Sequence, residues 1–227
     1  MEIVQQVIDT FLHLDKKLAI VVSQYGTTAY ALLFLIIFME TGFVITPFLP
    51  GDSLLFAAGA IAVTSSLNIY VIYFLTLFAA IIGDTVNYWI GHYIGPKIFE
   101  RESRFIKKEH LIRTQHFYDK YGGQAIVLAR FVPIVRTFAP FVAGIARMSY
   151  THFISYNIIG GVVWVSLFVW GGYFFGNLPF VKENFHYVVV AIILLSISPI
   201  IFEWLKAHRN KKKESKKEIK PSNIKIR

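Results

Sequence analysis

The sequence predicts an all-α polytopic membrane protein: two oppositely oriented re-entrant helical hairpins, each followed by a transmembrane helix, plus a C-terminal transmembrane helix. Three observations predict it. Residues 53–83 carry no charged side chain, and 148–181 and 185–202 carry only His152 and His186. Runs of that kind suit a hydrocarbon core, which takes about 20 apolar residues to cross. Hydrophobic residues make up 55% of the chain and charged residues 16%, with a mean hydropathy of +0.53. Soluble domains carry about 25% charged residues, and their helices show polar residues on one face every turn. Finally, two apolar segments are interrupted by prolines.

The elements follow in order. Residues 1–25 place Ile3, Val7, Phe11, Leu14, Leu18 and Val21 at roughly helical spacing among Glu2, Asp9, Asp15, Lys16 and Lys17, which reads as an interfacial amphipathic helix. Residues 26–205 form the transmembrane domain. Its first piece, 28–63, is broken at Pro47, Pro50 and Gly51, because proline removes a backbone donor and pushes the preceding residue out of the helical region. After Ser53 only about ten strongly apolar residues remain before Thr64-Ser65-Ser66, short for a span and suited to a re-entrant leg. Residues 67–94 form a long helix carrying Asp84. A charged cytoplasmic linker follows over 96–121, with seven Lys or Arg residues. Residues 123–146 form a second hairpin, broken at Pro133 and Pro140. Helices over 150–175 and 185–205 complete the domain. Residues 206–227 are a basic cytoplasmic tail.

Crossing counts then fix the topology. Only one span separates the two hairpins, so they enter from opposite faces, as in the inverted repeats of transporters. A five-residue echo agrees, Asn87-Tyr88-Trp89-Ile90-Gly91 against Tyr156-Asn157-Ile158-Ile159-Gly160. The linker and the tail are two crossings apart and share a side, which positive-inside makes cytoplasmic. The net charge of +9 belongs mainly to that tail: residues 206–227 hold ten Lys or Arg and two Glu. It is an anchor, with no nucleic-acid-binding face implied. The absence of cysteine excludes disulfides and thiolate chemistry.

Function is expected at charged residues inside the apolar segments. Glu40 ends an uncharged run over 18–39, Asp52 lies in the Pro-Gly-Asp-Ser turn, and Arg130 and Arg136 flank Pro133. Intramembrane charges are costly, usually pair, and mark transport pathways. The two acids are expected to pair with the two arginines across the midplane. Arginine offers a planar fork that matches phosphate oxygens, and a carboxylate kept out of water exchanges a proton as such a partner comes and goes. Secondary candidates are Asp84 and Asn87, one turn apart on one helix face, and Asn157 as an interhelical hydrogen-bond donor. Gly91 and Gly95 read as a close-packing pair. Trp164, Trp170, Tyr173 and Phe174 read as lipid-facing or interfacial aromatics.

An enzyme is disfavoured. Arg104 and His110 have part of the spacing of a membrane lipid phosphatase, but position 114 is Thr and no Ser-Gly-His occurs. His110 and His116 lie on different helix faces, which speaks against a shared metal. No cofactor and no metal are expected.

Four stretches resemble the DedA family, also called SNARE-associated or VTT proteins. The first runs from Glu40-Thr41-Gly42 through Pro47-Phe48-Leu49-Pro50-Gly51-Asp52-Ser53-Leu54. The second is Gly83-Asp84 with Asn87, Tyr88 and Gly91. The third is Ala129-Arg130-Phe131-Val132-Pro133-Ile134-Val135-Arg136-Thr137. The fourth is Ala143-Gly144 with Phe153, Asn157, Gly160 and Trp164. The resemblance covers residues 5–205 approximately. It implies a bacterial inner (cytoplasmic) membrane protein with facing re-entrant hairpins and a role as lipid transporter or flippase. The implied cargo is the carrier lipid undecaprenyl phosphate or a phospholipid, with a link to the proton motive force. It also implies that Glu40, Asp52, Arg130 and Arg136 are the functional residues. The partners expected are an anionic lipid, protons and the bilayer, with a homo-oligomer left open. The alternative is a proton- or ion-coupled antiporter that supports membrane potential and pH homeostasis without lipid cargo.

Overall fold

The computed structural model describes residues 26–43, 51–100 and 122–188, with isolated positions at 20, 22, 190–192 and 194. Most of the expected interfacial helix, of the charged linker and of the C-terminal helix, the basic tail and the turn with Pro47 and Pro50 lie outside these residues. Among the described residues every regular element is an α-helix: α1 Thr28–Gly42, α2 Gly51–Ala62, α3 Ile69–Glu100, α4 Gln124–Ala129, α5 Pro133–Ile145, α6 Tyr150–Phe175 and α7 Pro179–Glu183.

Two of these helices can cross a membrane. Ile69–Ile94 within α3, and α6, are predominantly apolar stretches of 26 residues each. At 1.5 Å per residue each is about 39 Å long, more than a hydrocarbon core of about 30 Å. Their faces are arranged oppositely to those of a soluble helix. Phe74 and Phe78 of α3 are 56% and 62% exposed, as Leu167 and Phe174 of α6 also point outward, while Asp84, Asn87 and Asn157 are buried. Water would reward the reverse arrangement, and lipid rewards this one. The helix α3 continues past Gly95-Pro96 to Glu100, whereas the sequence reading ends it at Ile94. A proline inside a helix removes the bond to the carbonyl four residues back and crowds that carbonyl, yet α3 runs through Pro96.

The shorter helices pack on the long ones. The helices α1 and α5 both lie on α3, while α2 and α4 both lie on α6. Small residues make each close approach. A methyl group at Gly59 of α2 would overlap the Val169 carbonyl of α6, and one at Gly172 of α6 would overlap the Phe56 carbonyl of α2. The same reciprocal arrangement recurs between α5 and α3: Gly144 faces the Tyr88 carbonyl and Gly91 the Phe141 carbonyl. Backbones meet in this way where no water is available to drive association and van der Waals contact must do it. The recurring signature is Phe-x-Ala-Gly, at 56–59 and 141–144. It differs from the echo noted in the sequence, since Gly160 packs on Arg130 and Val127 rather than in the manner of Gly91.

The break in the second segment also differs from expectation. Pro140 lies inside α5 and does not end it; Pro133 begins that helix at its first turn. The interruption is Arg130–Val132, where Val132 is extended at φ −121° and ψ 104°. Proline at the first turn loses nothing, because that N–H has no partner in the helix anyway. Proline at 140 removes the bond to the carbonyl of residue 136 and crowds that carbonyl, yet α5 continues through it.

Candidate functional site

The four primary candidate side chains are delivered at or near helix ends. Glu40 lies in the last turn of α1, and Asp52 in the first turn of α2. Arg130 caps the C-terminus of α4, and Arg136 lies in the first turns of α5. Asp84 and Trp164 come from the middles of α3 and α6. All six are buried, Glu40 completely.

Two centres result. In the first, Arg136 uses separate nitrogens for separate acids. Nη1 donates to Asp52 Oδ1 at 2.6 Å, and Nη2 donates to Glu40 Oε1. The same Glu40 oxygen accepts the backbone N–H of Gly51 at 3.0 Å. A methyl group at Gly51 would overlap the Glu40 carboxylate, so glycine here lets that carboxylate lie against the start of α2. The Trp164 indole N–H donates to Asp52 Oδ1 at 2.8 Å.

In the second centre, Arg130 Nη2 donates to both Asp84 Oδ2 and Asn157 Oδ1. Asn157 Nδ2 in turn donates to the Ile81 carbonyl at 3.1 Å. The Trp164 ring joins the centres, with its centroid 5.2 Å from Arg136 Cζ and 6.0 Å from Arg130 Cζ, within the range of cation–π attraction. Asn87 completes the surround by donating to the carbonyls of Thr41 at 3.1 Å and Thr137 at 2.7 Å. It thereby ties the end of α1 to α5.

The expected pairing of acids with arginines holds for Arg136 and fails for Arg130, whose partners are Asp84 and Asn157. Asp84 therefore belongs to the site as fully as Glu40 and Asp52. Trp164, expected to face lipid, is 1% exposed, because an indole N–H buried at this depth needs an acceptor and Asp52 supplies it. Of the other aromatics so read, Phe174 is exposed at 65%, while Trp170 and Tyr173 are partly buried against the core.

Three carboxylates and two guanidiniums leave one negative charge in excess when all are ionised. Several polar atoms remain buried without a hydrogen-bond partner: Glu40 Oε2, Asn87 Oδ1, Arg130 Nε and Arg136 Nε. Such groups are costly to bury. They leave each arginine with an unsatisfied donor for an anion. Among the described residues no three His, Cys, Asp or Glu side chains are grouped to hold a metal ion.

The fold and the buried centre define a helical integral membrane protein with a charged core. Comparison with known proteins narrows the class. The chain matches the VTT domain over residues 49–174. It is 52% identical to protein DedA of Escherichia coli K12 over 212 residues, 92% of this chain and 97% of that one. It is 38% identical to an uncharacterized membrane protein of Mycobacterium leprae, over 81% of this chain and 83% of that one. It is 28% identical to the inner membrane protein YqjA of E. coli K12, over 76% of this chain and 79% of that one. No solved structure matches. The chain belongs to the DedA family of VTT-domain membrane proteins.

Proposed function

We propose that this protein is a lipid transporter of the bacterial inner membrane. On this reading it moves undecaprenyl phosphate or a phospholipid between leaflets, coupled to protons, and is not an enzyme. The observation that carries the reading is the placement of Arg136 and Arg130. Both are buried among predominantly apolar helices, each held by carboxylate or amide oxygens and each with an unpartnered Nε. A purely structural ion pair would be an expensive way to join apolar helices, since hydrophobic replacements of equal volume are often as stable. Guanidiniums suit a phosphate headgroup, which accepts from two nitrogens at once.

The proposal includes two re-entrant hairpins, 28–63 and 123–146, entering from opposite faces as an inverted repeat. The reciprocal glycine contacts of α2 with α6 and of α5 with α3 support this arrangement. It also includes a third span over 185–205 with a cytoplasmic C-terminus, supported by the basic residues beyond it. Headgroup entry would exchange a carboxylate for a phosphate on an arginine. The displaced carboxylate would take up a proton, so that charge in the apolar interior is not increased.

The excess negative charge also supports a second reading, a proton- or ion-coupled antiporter without lipid cargo. Proteoliposomes separate the two. With photo-crosslinkable or fluorescent undecaprenyl phosphate, a transporter moves lipid faster under a pH gradient, and Arg136→Ala abolishes the movement. Intact ion flux without lipid movement would sink the lipid reading and leave the antiporter.

A further inference from the structure

Glu40 and Asp52 are both buried and both pair with Arg136, yet they differ in helix position and in the kind of second donor each receives. Asp52 lies in the first turn of α2, where the helix dipole favours negative charge; Glu40 lies in the last turn of α1, where the dipole opposes it. Asp52 Oδ1 receives two side-chain donors, Arg136 Nη1 at 2.6 Å and Trp164 Nε1 at 2.8 Å. Glu40 concentrates its bonds on Oε1, and its Oε2 is buried with no partner. The Trp164 ring also lies 5.2 Å from the Arg136 guanidinium carbon, so one side chain fixes both members of the Arg136–Asp52 pair.

We propose that Trp164 is a positioning residue that locks Asp52 onto Arg136, so that Glu40 alone gives way when an anionic headgroup enters. The two acids then have different roles. Asp52 is the permanent partner that keeps the guanidinium plane oriented. Glu40 occupies the place on Nη2 that the headgroup oxygen takes. The ring of Trp164 is a flat wall against which the guanidinium keeps its orientation during the exchange, and it touches the Arg130 centre on the way. The inference rests on the reading of Arg136 as an anion-binding group.

The test is equilibrium binding of farnesyl phosphate to the full chain in phosphatidylcholine nanodiscs. Trp164→Phe keeps an aromatic wall and removes the N–H, and weakens binding about tenfold, the order that one charge-assisted hydrogen bond represents. Asp52→Asn weakens it similarly, and the double variant is no weaker than either single one. Glu40→Gln acts in the opposite direction and binds the probe at least as tightly as the unaltered protein. Binding by Trp164→Phe equal to the unaltered protein, or effects of Trp164→Phe and Asp52→Asn that multiply, overturns the inference while leaving the anion site standing. Absence of binding by the unaltered protein removes the anion site and the role of Trp164 with it. A measurement that does not depend on the Trp164 variant uses 5-fluorotryptophan. The 19F resonance of Trp164 moves on Asp52→Asn and keeps its position on Glu40→Gln; the reverse pattern overturns the inference.

Discussion

Glu40 Oε1 accepts the backbone N–H of Gly51 at 3.0 Å, across the break between α1 and α2. The carboxylate thus does two things at once. It satisfies one of the free donors at the start of α2, and it pairs with Arg136 of α5. The interruption of the first segment is consequently part of the charged centre, because an uninterrupted helix would offer no free N–H to Glu40.

Gly51→Ala tests that dependence. The added methyl group would overlap the Glu40 carboxylate. Either the carboxylate swings off Arg136 or the start of α2 shifts. Overpacking of this kind costs about 1–3 kcal/mol. The expected outcome is a lowered midpoint of thermal unfolding in detergent, together with transport reduced to the level of Glu40→Ala. A Gly51→Ala protein with full transport would show that the contact is incidental.

Arg136 separates stability from function. Arg136→Met leaves Glu40 and Asp52 buried without their cation, and breaking such a pair typically costs about 3–5 kcal/mol. Combining Arg136→Met with Glu40→Gln and Asp52→Asn removes the charge imbalance. The triple variant is expected to recover most of the lost stability, measured as midpoint in detergent, while lipid movement in proteoliposomes stays absent. Recovery of both would make the centre purely structural.

The long uncharged runs made the two spanning helices legible, because hydropathy acts locally, and Pro133 marked the start of α5. Which acid meets which arginine was not legible, since that depends on how α1 and α5 cross α3. Asp84 nevertheless carried a usable signal. No charged residue occurs between Asp52 and Asp84 or between Asp84 and Lys97, so the burial argument that singled out Glu40 applied to it with equal force. Trp164 carried none beyond its type, because an indole faces lipid or a buried acceptor depending only on helix rotation. Pro140 misled for the opposite reason: a proline is read as a break, yet a helix anchored on both sides of it tolerates one lost bond.

The Arg130 centre predicts a second, separable defect. Asp84→Asn leaves Arg130 with neutral oxygen partners only, Asn157 among them. Asp84→Ala leaves the guanidinium one partner fewer. The expected loss of stability is larger for Ala than for Asn, with Ala at about 3 kcal/mol. A double-mutant cycle with Arg130→Met should give a coupling energy above about 1 kcal/mol, as for contacting residues, while a cycle of Asp84→Asn with Gly59→Ala on α2 should be near additive. Thermal or denaturant unfolding of the four proteins in each cycle checks both.

The charge excess sets the sign of a pH dependence. When all are ionised, the five groups Glu40, Asp52, Asp84, Arg130 and Arg136 sum to one negative charge, and an anionic headgroup adds to it. Proton uptake on binding keeps the buried charge constant, so by linkage affinity rises as pH falls, by at most about tenfold per pH unit for one proton. Calorimetric titration of an isoprenyl phosphate in buffers of different ionisation enthalpy measures the uptake directly. Near one proton per headgroup is expected in the unaltered protein, and near zero in Glu40→Gln. Equal uptake in both would assign the proton to another carboxylate.

The paired glycine crossings give the last prediction. Gly59 and Gly172 join α2 to α6, and Gly144 and Gly91 join α5 to α3, each glycine lying against a backbone carbonyl of the opposite helix. A methyl group at any of them forces the helices apart, because a carbonyl on a rigid helix cannot move aside as a side-chain tip can. Gly59→Ala and Gly144→Ala are each expected to lower stability by about 1–3 kcal/mol. They act at different helix pairs, so their effects on the unfolding midpoint should add. Their effects on transport should exceed that sum. Arg136 and Asp52 sit on α5 and α2, the two helices being displaced, and a pair held at 2.6 Å is lost when its ends separate by about an ångström. Additive stability with more than additive loss of lipid movement would identify the two crossings as the joint frame of the Arg136–Asp52 pair.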